Sequence, residues 1–385
     1  LLPVCAIVSL TRYLIKRWPL IKLQESLCGE ITFVDYLFHL DNKALKKGRF
    51  SSHYWTQLLG LLEKEETKSN WLHHFIPHEA VASPRQAKTL TEKLNKSGEN
   101  KQFHFCLENA INRFVIWGVI RDYLRIVLMN IRLTQMKHCF CPVDSDLDFW
   151  PLFKNDWYNS MLGSVAISNT LFLNLFEQTL KSMSYQKMGF YLMENQAWER
   201  ALIYAWKASG HGDLIGVQHS TVRYWDLRYF SDSRSYERKK RNDMPIPDRV
   251  ALNGKLSMSA YRDGGYPKSM IVEVEALRYI HLVEVQKIST INGKRNTNEI
   301  RVLVLTDYLH LITCQQMRWL ECASRLLPEN TRYIVKSHPA CPVREIDYPG
   351  LTLQMKSSPL VELLADCNVA YTSNITSAAV DAYLA

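Results

Sequence analysis

From Ile300 onward, short β-branched runs alternate with helical segments, and this alternation constrains the fold more than any other feature of the chain. Ile300–Leu305 reads as a strand ending in Thr306 and Asp307, and a helix is expected from His310 to about Leu327. Tyr333, Ile334 and Val335 form the next strand, at whose end Lys336, Ser337 and His338 arrive together before Pro339 stops regular structure. Leu351–Leu353 is a short strand and Pro359–Ala365 a helix. Val369–Tyr371 then leads through Ser373, Asn374, Thr376 and Ser377 into a helix at Ala378. Such an order is that of a doubly wound α/β domain, in which ligands sit outside the carboxyl ends of the strands. A cation, a hydroxyl and an imidazole at such an end suit a phosphate; the alternative is an ordinary surface turn.

A second unit of the same kind lies upstream. Gly189–Met193 reads as a strand releasing Glu194, a helix runs to Ser209, and Leu214–Val217 is a strand releasing Gln218, His219 and Ser220. Parallel strands joined by a crossover helix put both ends on one edge of the sheet, so Glu194 and His219 are expected to face one cleft. The alternatives are a carboxylate satisfying a helix N-terminus and a capped core histidine. For Asp307 the alternative to a catalytic carboxylate is a helix N-cap.

The remaining segments carry less chemistry. Ala6–Leu10 is expected as a first strand, Leu14–Leu23 as a cationic helix, Ile31–Leu40 as a strand and Trp55–Leu62 as the start of a helix. His74 and His78 would share a helical face, but Pro77 lies between them and no acidic partner is near, so no metal is expected there. Ser83–Gln102 reads as a solvated helix-and-loop insertion. Phe103–Met136 reads as one long helix with a core stripe of Phe114, Trp117, Ile120, Tyr123, Leu124 and Leu128, and with Arg113, Arg121, Arg125 and Arg132 off it. Met161–Met183 is a further helix, Arg249–Leu252 a strand ending in Asn253-Gly254, and Glu273–Val285 an amphipathic helix. Arg234–Arg241 is an exposed charge run without a nucleic-acid recognition motif, and Ile288–Glu299 is the best linker.

A chain of 385 residues is long enough for two domains with separate cores. The excess of 47 Lys and Arg over 38 Asp and Glu leaves +9, which suits an anionic partner without naming one. Nine scattered cysteines offer one tight pair, Cys139 and Cys141, with no second pair to complete a zinc site. Most of the others lie in apolar runs and read as small core residues, in keeping with a reducing cytosol. Leu1–Leu10 lacks a basic region before it, and Ser160–Phe176 is interrupted by polar residues, so neither a secretory signal nor a membrane span is expected. Peripheral attachment to an anionic membrane surface stays open.

Taken in order, Gly216-Val217-Gln218-His219-Ser220, Lys336-Ser337-His338-Pro339 and Ser373-Asn374-Ile375-Thr376-Ser377 resemble motifs of bacterial GT-B glycosyltransferases. The likeness is to enzymes of surface polysaccharide synthesis that use CMP-activated sugars, namely Kdo transferases and sialyltransferases with a His-Pro motif. It extends from about residue 190 to the end. The resemblance implies an α/β GT-B fold: two Rossmann-like doubly wound domains facing across a cleft. Residues 1–290 would bind a glycan or lipid-linked glycan acceptor, 291–299 would be the linker, and 300–385 would bind the nucleotide-sugar donor. A further strand and closing helix would be expected after Ala385. Lys336, Ser337, His338, Ser373, Asn374, Thr376 and Ser377 would hold the nucleotide phosphate. Glu194, Asp307, His219 and His338 would be catalytic, with Gln218 and Ser220 on the acceptor side. No metal, cofactor or nucleic acid is expected, and a cytoplasmic location, either free or peripheral on the inner face of the membrane, would follow. Two alternatives remain: a CDP-glycerol or CDP-ribitol type phosphotransferase, and a non-catalytic basic scaffold at a membrane surface.

Overall fold

Alternate residues along the central strands enter different cores, and this two-faced burial sets the architecture. The computed structural model describes residues 1–17, 29–38, 40–78, 81–97, 101–220, 222, 226–236, 244–280, 299–373 and 376–385. The chain divides into two units, Leu1–Leu277 and Arg278–Ala385. The expected linker, apart from Glu299, lies outside the described residues, as do Asn374, 18–23 of the expected cationic helix and most of the 234–241 charge run.

The first unit is built on seven parallel strands: β1 (Ile31–Tyr36), β2 (Ser69–His74), β3 (Gln102–Cys106), β4 (Met188–Met193), β5 (Asp213–Gln218), β6 (Arg249–Asn253) and β7 (Ile271–Val274). Their order is β3-β2-β1-β4-β5-β6-β7. The chain thus winds outward one way from β1 and the other way from β4, which makes the β1–β4 junction a topological switch point. Phe33, Trp71 and Leu192 face one core, with Trp55 and Leu94, whereas Val34, Leu72, Tyr191 and Met193 face the other. The first core is covered by α3 (Thr56–Lys64) and α4 (Pro84–Ser97). The second is covered by α1 (Leu2–Arg17), α5 (Arg113–Arg132), α7 (Ser164–Ser182) and α8 (Ala197–Ala208). Two helices complete the unit's larger crossovers, α2 (Asn42–Lys46) and α6 (Trp150–Leu162), and α9 (Gly254–Asp263) follows β6.

Several local expectations change. Ala6–Leu10 is part of α1, not a strand: Ala6 is fully buried while Ile7 and Val8 are exposed, the pattern of a helix lying on the sheet face. Asn70–His74 is wholly buried strand rather than helix, so His74 and His78 share no helical face, and His73 does have an acidic partner, Asp35. Phe103–Met136 is not one helix. Its start is β3, and Asn112 begins α5 by accepting hydrogen bonds from the N–H groups of Phe114 (2.8 Å) and Val115 (3.0 Å). The face of α5 that packs is Val115, Gly118, Val119, Asp122 and Tyr123; of the expected core stripe only Tyr123 is buried. Residues 271–274 form β7 instead of the start of an amphipathic helix. Of the eight described cysteines only Cys106 and Cys341 are buried, because Cys5 and Cys322 fall on the outer faces of their helices.

The second unit carries four parallel strands, β8 (Ile300–Leu305), β9 (Thr331–Lys336), β10 (Leu353–Met355) and β11 (Val369–Thr372), in the order β10-β9-β8-β11. Its helices are α10 (His310–Ser324), α11 (Leu360–Leu364) and α12 (Ala378–Leu384). Val302, Val304, Tyr333 and Val335 enter one core; Leu303, Leu305 and Ile334 enter the other, against Leu363 and Leu364. Here the switch point falls between β8 and β11. Both units are therefore α/β, Rossmann-like and doubly wound, the make-up expected of a GT-B chain.

Candidate active site

In the first unit the polar residues converge beyond β4 and β5. These strands pair in parallel with Met193 opposite Gln218, so the next residues out, Glu194 and His219, stand side by side at the carboxyl edge. The Nε2 of His219 lies 3.0 Å from Glu194 Oε1. The hydrogen bond from His219 holds Glu194 down to about 2 against the opposing pull of burial. Because the carboxylate stays ionised, the hydrogen between the two sits on Nε2. His219 is 5% exposed, packs edge-on to Tyr54, and its buried Nδ1 has no hydrogen-bond partner in the protein. The other oxygen of Glu194 accepts a hydrogen bond from Gln196 Nε2 at 2.8 Å, with the Arg228 guanidinium 4.0 Å away.

A buried carboxylate shapes the loop that presents Glu194. Glu199, in the first turn of α8, accepts hydrogen bonds from the backbone N–H groups of Glu194 (2.8 Å), Asn195 (3.1 Å) and Gln196 (2.9 Å). Asn195 adopts a left-handed backbone (φ 58°), which an Asn tolerates better than a branched residue. Burial pushes Glu199 up to about 7, although the three N–H groups pull it down. Sequence reasoning passed over Glu199; the signal was its position three residues after Gln196, where a capping box forms.

Glu194 opens onto a cavity of about 380 Å³ at the β1–β4 switch point, walled by Tyr36, Phe38, Tyr54, His74, Phe172 and Trp198, among others. The Nε1 of Trp198 donates to Tyr36 Oη at 3.1 Å, which fixes two of the rings. His74 is enclosed by Tyr36, Phe172, Phe176 and Trp198; burial lowers it to about 3, and its Nε2 has no partner in the protein. The cavity thus combines aromatic faces, an ionised carboxylate and a neutral imidazole. Of its walls only His74 was singled out from the sequence, as half of a rejected metal pair, since the walls come from positions as far apart as 36, 54, 74 and 198.

Gln218 points elsewhere. Its side-chain amide donates to Ser220 O (2.6 Å) and Ser257 Oγ (2.9 Å), and its Oε1 accepts from the N–H of Asn253 (2.9 Å). It latches β5 to the end of β6, and Ser220 supplies a backbone carbonyl to that latch. Both were expected on the acceptor side; the side chain of Gln218 is taken up by this latch, to which Ser220 gives only its backbone carbonyl.

In the second unit the expected phosphate residues fall at the ends of β8, β9 and β11. Lys336 donates to Ser358 O at 2.7 Å, and burial lowers its pKa. The N–H of His338 is held by Thr306 Oγ1 (3.0 Å), and its Nδ1 accepts from the N–H of Ala340 (3.1 Å). That bond leaves the ring hydrogen of the neutral imidazole on Nε2. Burial favours the neutral form, against a smaller opposite effect of Asp307. Ser337 Oγ accepts from the N–H of Val343. Asp307 is fully buried: one carboxylate oxygen accepts from the N–H of Leu309 (2.9 Å), and the other from the hydroxyl of Ser373. Those bonds spend Asp307 on tying β8 to β11 across the switch point, and they commit the Ser373 hydroxyl as well. Thr376 Oγ1 accepts from Ala378 N–H at 3.4 Å, and Ser377 Oγ from Arg278 at 3.5 Å.

Among the described residues no group of three His, Cys, Asp or Glu is placed to hold a metal, and no helix is long and apolar enough to cross a membrane. No family model and no curated protein matches the chain. Among solved structures it is similar to UDP-GlcNAc 2-epimerase from Methanocaldococcus jannaschii, at 8% identity over 92% of this chain and 81% of that one, with a TM-score of 0.46. It is similar also to UDP-GlcNAc 2-epimerase from Neisseria meningitidis bound to UDP-GlcNAc (10% identity, 90% and 78% covered, TM-score 0.46). A third is the N-terminal domain of trehalose-6-phosphate phosphatase from Candida albicans (12% identity, 94% and 81% covered, TM-score 0.45). Likenesses of this size carry no argument about activity, which rests on the residues themselves.

Proposed function

We propose that the protein transfers a sugar from a nucleotide-sugar donor to a hydroxyl acceptor. The observation that carries this reading is the Glu194–His219 pair at a topological switch point, opening on an aromatic-walled cavity. Aromatic faces suit the C–H faces of a sugar ring, and a carboxylate beside them suits its hydroxyls. The first unit then takes the acceptor. Its hydroxyl oxygen attacks the anomeric carbon while the Glu194 carboxylate, which lines the cavity and is held by His219 Nε2–H, takes up the hydroxyl proton. The new glycosidic bond forms as the bond from the anomeric carbon to the donor phosphate oxygen breaks, and the electron pair leaves with the phosphate.

The second unit takes the donor. Lys336 supplies positive charge and the Nε2–H of His338 a hydrogen bond to the departing phosphate, with Ser337, Thr376 and Ser377 nearby in the same edge region. In its specific form the proposal names a CMP-linked acidic sugar such as Kdo or a sialic acid, and a surface glycan or lipid-linked glycan as acceptor; the +9 charge supports an acidic donor.

The test is thermal unfolding of the full chain with CMP, CDP, UDP and GDP. The matching nucleotide is expected to stabilise by about 2.7 kcal/mol at about a hundredfold excess over Kd. CMP alone acting supports the specific form, UDP or GDP the general one. No shift with any nucleotide rejects the transfer. A product that carries the donor's phosphorus points instead to phosphotransfer.

A further inference from the structure

The outward face of α5 is apolar where a solvated helix would be polar. Phe114, Trp117, Leu124, Leu128 and Ile131 recur at helical spacing, and Trp117 is 70% exposed. Gly118 allows this helix to lie close on α7: a Cβ there would run into the side chain of Asn174, which binds Asp122. The helix is therefore seated by its other face, and the apolar stripe is left outward. Alongside it runs a groove of about 1130 Å³ between α5, α7 and α8, to which Met183 adds apolar surface and Leu180 and Ala205 form the buried floor.

The charges around this stripe are predominantly positive, although Glu177 lines the groove beside Arg121 and Lys181. Residues 113–137 hold Arg113, Arg121, Arg125, Arg132 and Lys137 against a single acid, Asp122. Arg121 and Arg125 both lean on Asp122, whereas Arg113 lies over the Phe114 ring. Asp144, Asp146 and Asp148 come only past the end of the helix. A second copy docked by this face would set like charge against like charge, which disfavours self-association. An amphipathic helix with Trp, Phe and Leu on one side and flanking arginines matches a bilayer with anionic headgroups.

We propose that the exposed stripe of α5, with its flanking arginines, docks the protein on an anionic lipid bilayer. The stripe enters the headgroup region in the plane of the membrane without spanning it. This does not depend on the transfer reaction.

The experiment is co-sedimentation of the full chain with vesicles of phosphatidylcholine alone and of phosphatidylcholine mixed with phosphatidylglycerol. Binding is expected to the mixed vesicles and to weaken with salt. The double variant Trp117→Ser/Leu124→Ser, at two exposed positions, should bind at least about tenfold more weakly. Arg113→Gln/Arg132→Gln should lose about twenty-fivefold on mixed vesicles and little on neutral ones, at roughly fivefold per arginine. Size-exclusion chromatography and thermal unfolding of each variant check that mass and fold are unchanged. The proposal is overturned if the wild type does not sediment with mixed vesicles, or if both variants bind as it does. It is overturned equally if the apolar variant turns a dimer into a monomer while vesicle binding persists.

Discussion

The imidazole of His219 meets the carboxylate of Glu194 at 3.0 Å because β4 and β5 run parallel with Met193 opposite Gln218. The contact is a consequence of register: a shift of one residue on either strand would turn one of the two side chains to the other face of the sheet. Glu194 stays ionised and is the member of the pair that lines the cavity, whereas Nδ1 of His219 is buried.

Replacing Glu194 by Gln removes the charge and keeps the shape. Transfer to the acceptor is expected to fall by about a hundredfold or more, the scale of losing a positioned acid–base group. Stabilisation by the matching nucleotide should be unchanged, because that binding is assigned to the second unit. Steady-state rates beside the nucleotide melting shift check this, and an unchanged rate would exclude Glu194 from the chemistry.

His338→Ala and Lys336→Gln should show the reverse pattern. Each is expected to weaken nucleotide binding by roughly tenfold, about the net worth of a hydrogen bond to a charged group. Isothermal titration with the nucleotide that shifts the melting curve is the measurement. Affinity equal to wild type in both variants would remove the phosphate role of this edge.

Stability should decline in acid through His74. Its pKa is about 3 in the folded protein against an ordinary 6.5, so below pH 6.5 the unfolded chain takes up a proton that the folded chain refuses. The contribution is complete above pH 6.5 and is lost as pH falls toward 3, by on the order of 4 kcal/mol over the window. Glu194 adds a loss of the same sign between 4.5 and about 2. His74→Leu should flatten the acid limb of the urea midpoint plotted against pH between 6.5 and 3. An acid limb as steep as that of wild type would show that His74 does not drive it.

Glu199→Gln tests how the Glu194 loop is held. A neutral amide keeps one oxygen for the N–H groups of Glu194 and Gln196 but turns an NH₂ toward that of Asn195. A loss of about 1–3 kcal/mol is expected near pH 8, and less near pH 5, where the wild-type carboxyl, pushed up to about 7, is itself protonated. Denaturant unfolding at the two pH values reads the difference.

The strands and their polar ends were legible because each signal is local. A β-branched run stopped by Glu194, His219, Asp307 or Lys336 says where a parallel strand ends, and parallel ends share an edge. The strand Gln102–Cys106 was not legible: five residues with Gln and His among them carry no period that separates them from the helix after them. Asp307 was visible as a strand-end carboxylate, but its full burial against Leu309 and Ser373 was not, because Ser373 arrives from 66 positions away.

By itself, the sequence determined the α/β class, the division into two units and the presence of Glu194, His219, Lys336 and His338 at strand ends. Tertiary structure decided which apolar face of α5 is buried. Both faces carry apolar residues at helical spacing, so periodicity is satisfied by either, and only the close seat of Gly118 on Asn174 selects the Val115–Val119 face. It also assembled the cavity, since Tyr36, Tyr54, His74 and Trp198 meet only when β1, β2 and β4 lie side by side. Local patterns follow from chain-neighbour geometry; a cavity wall follows from strand order, which no window of the sequence contains.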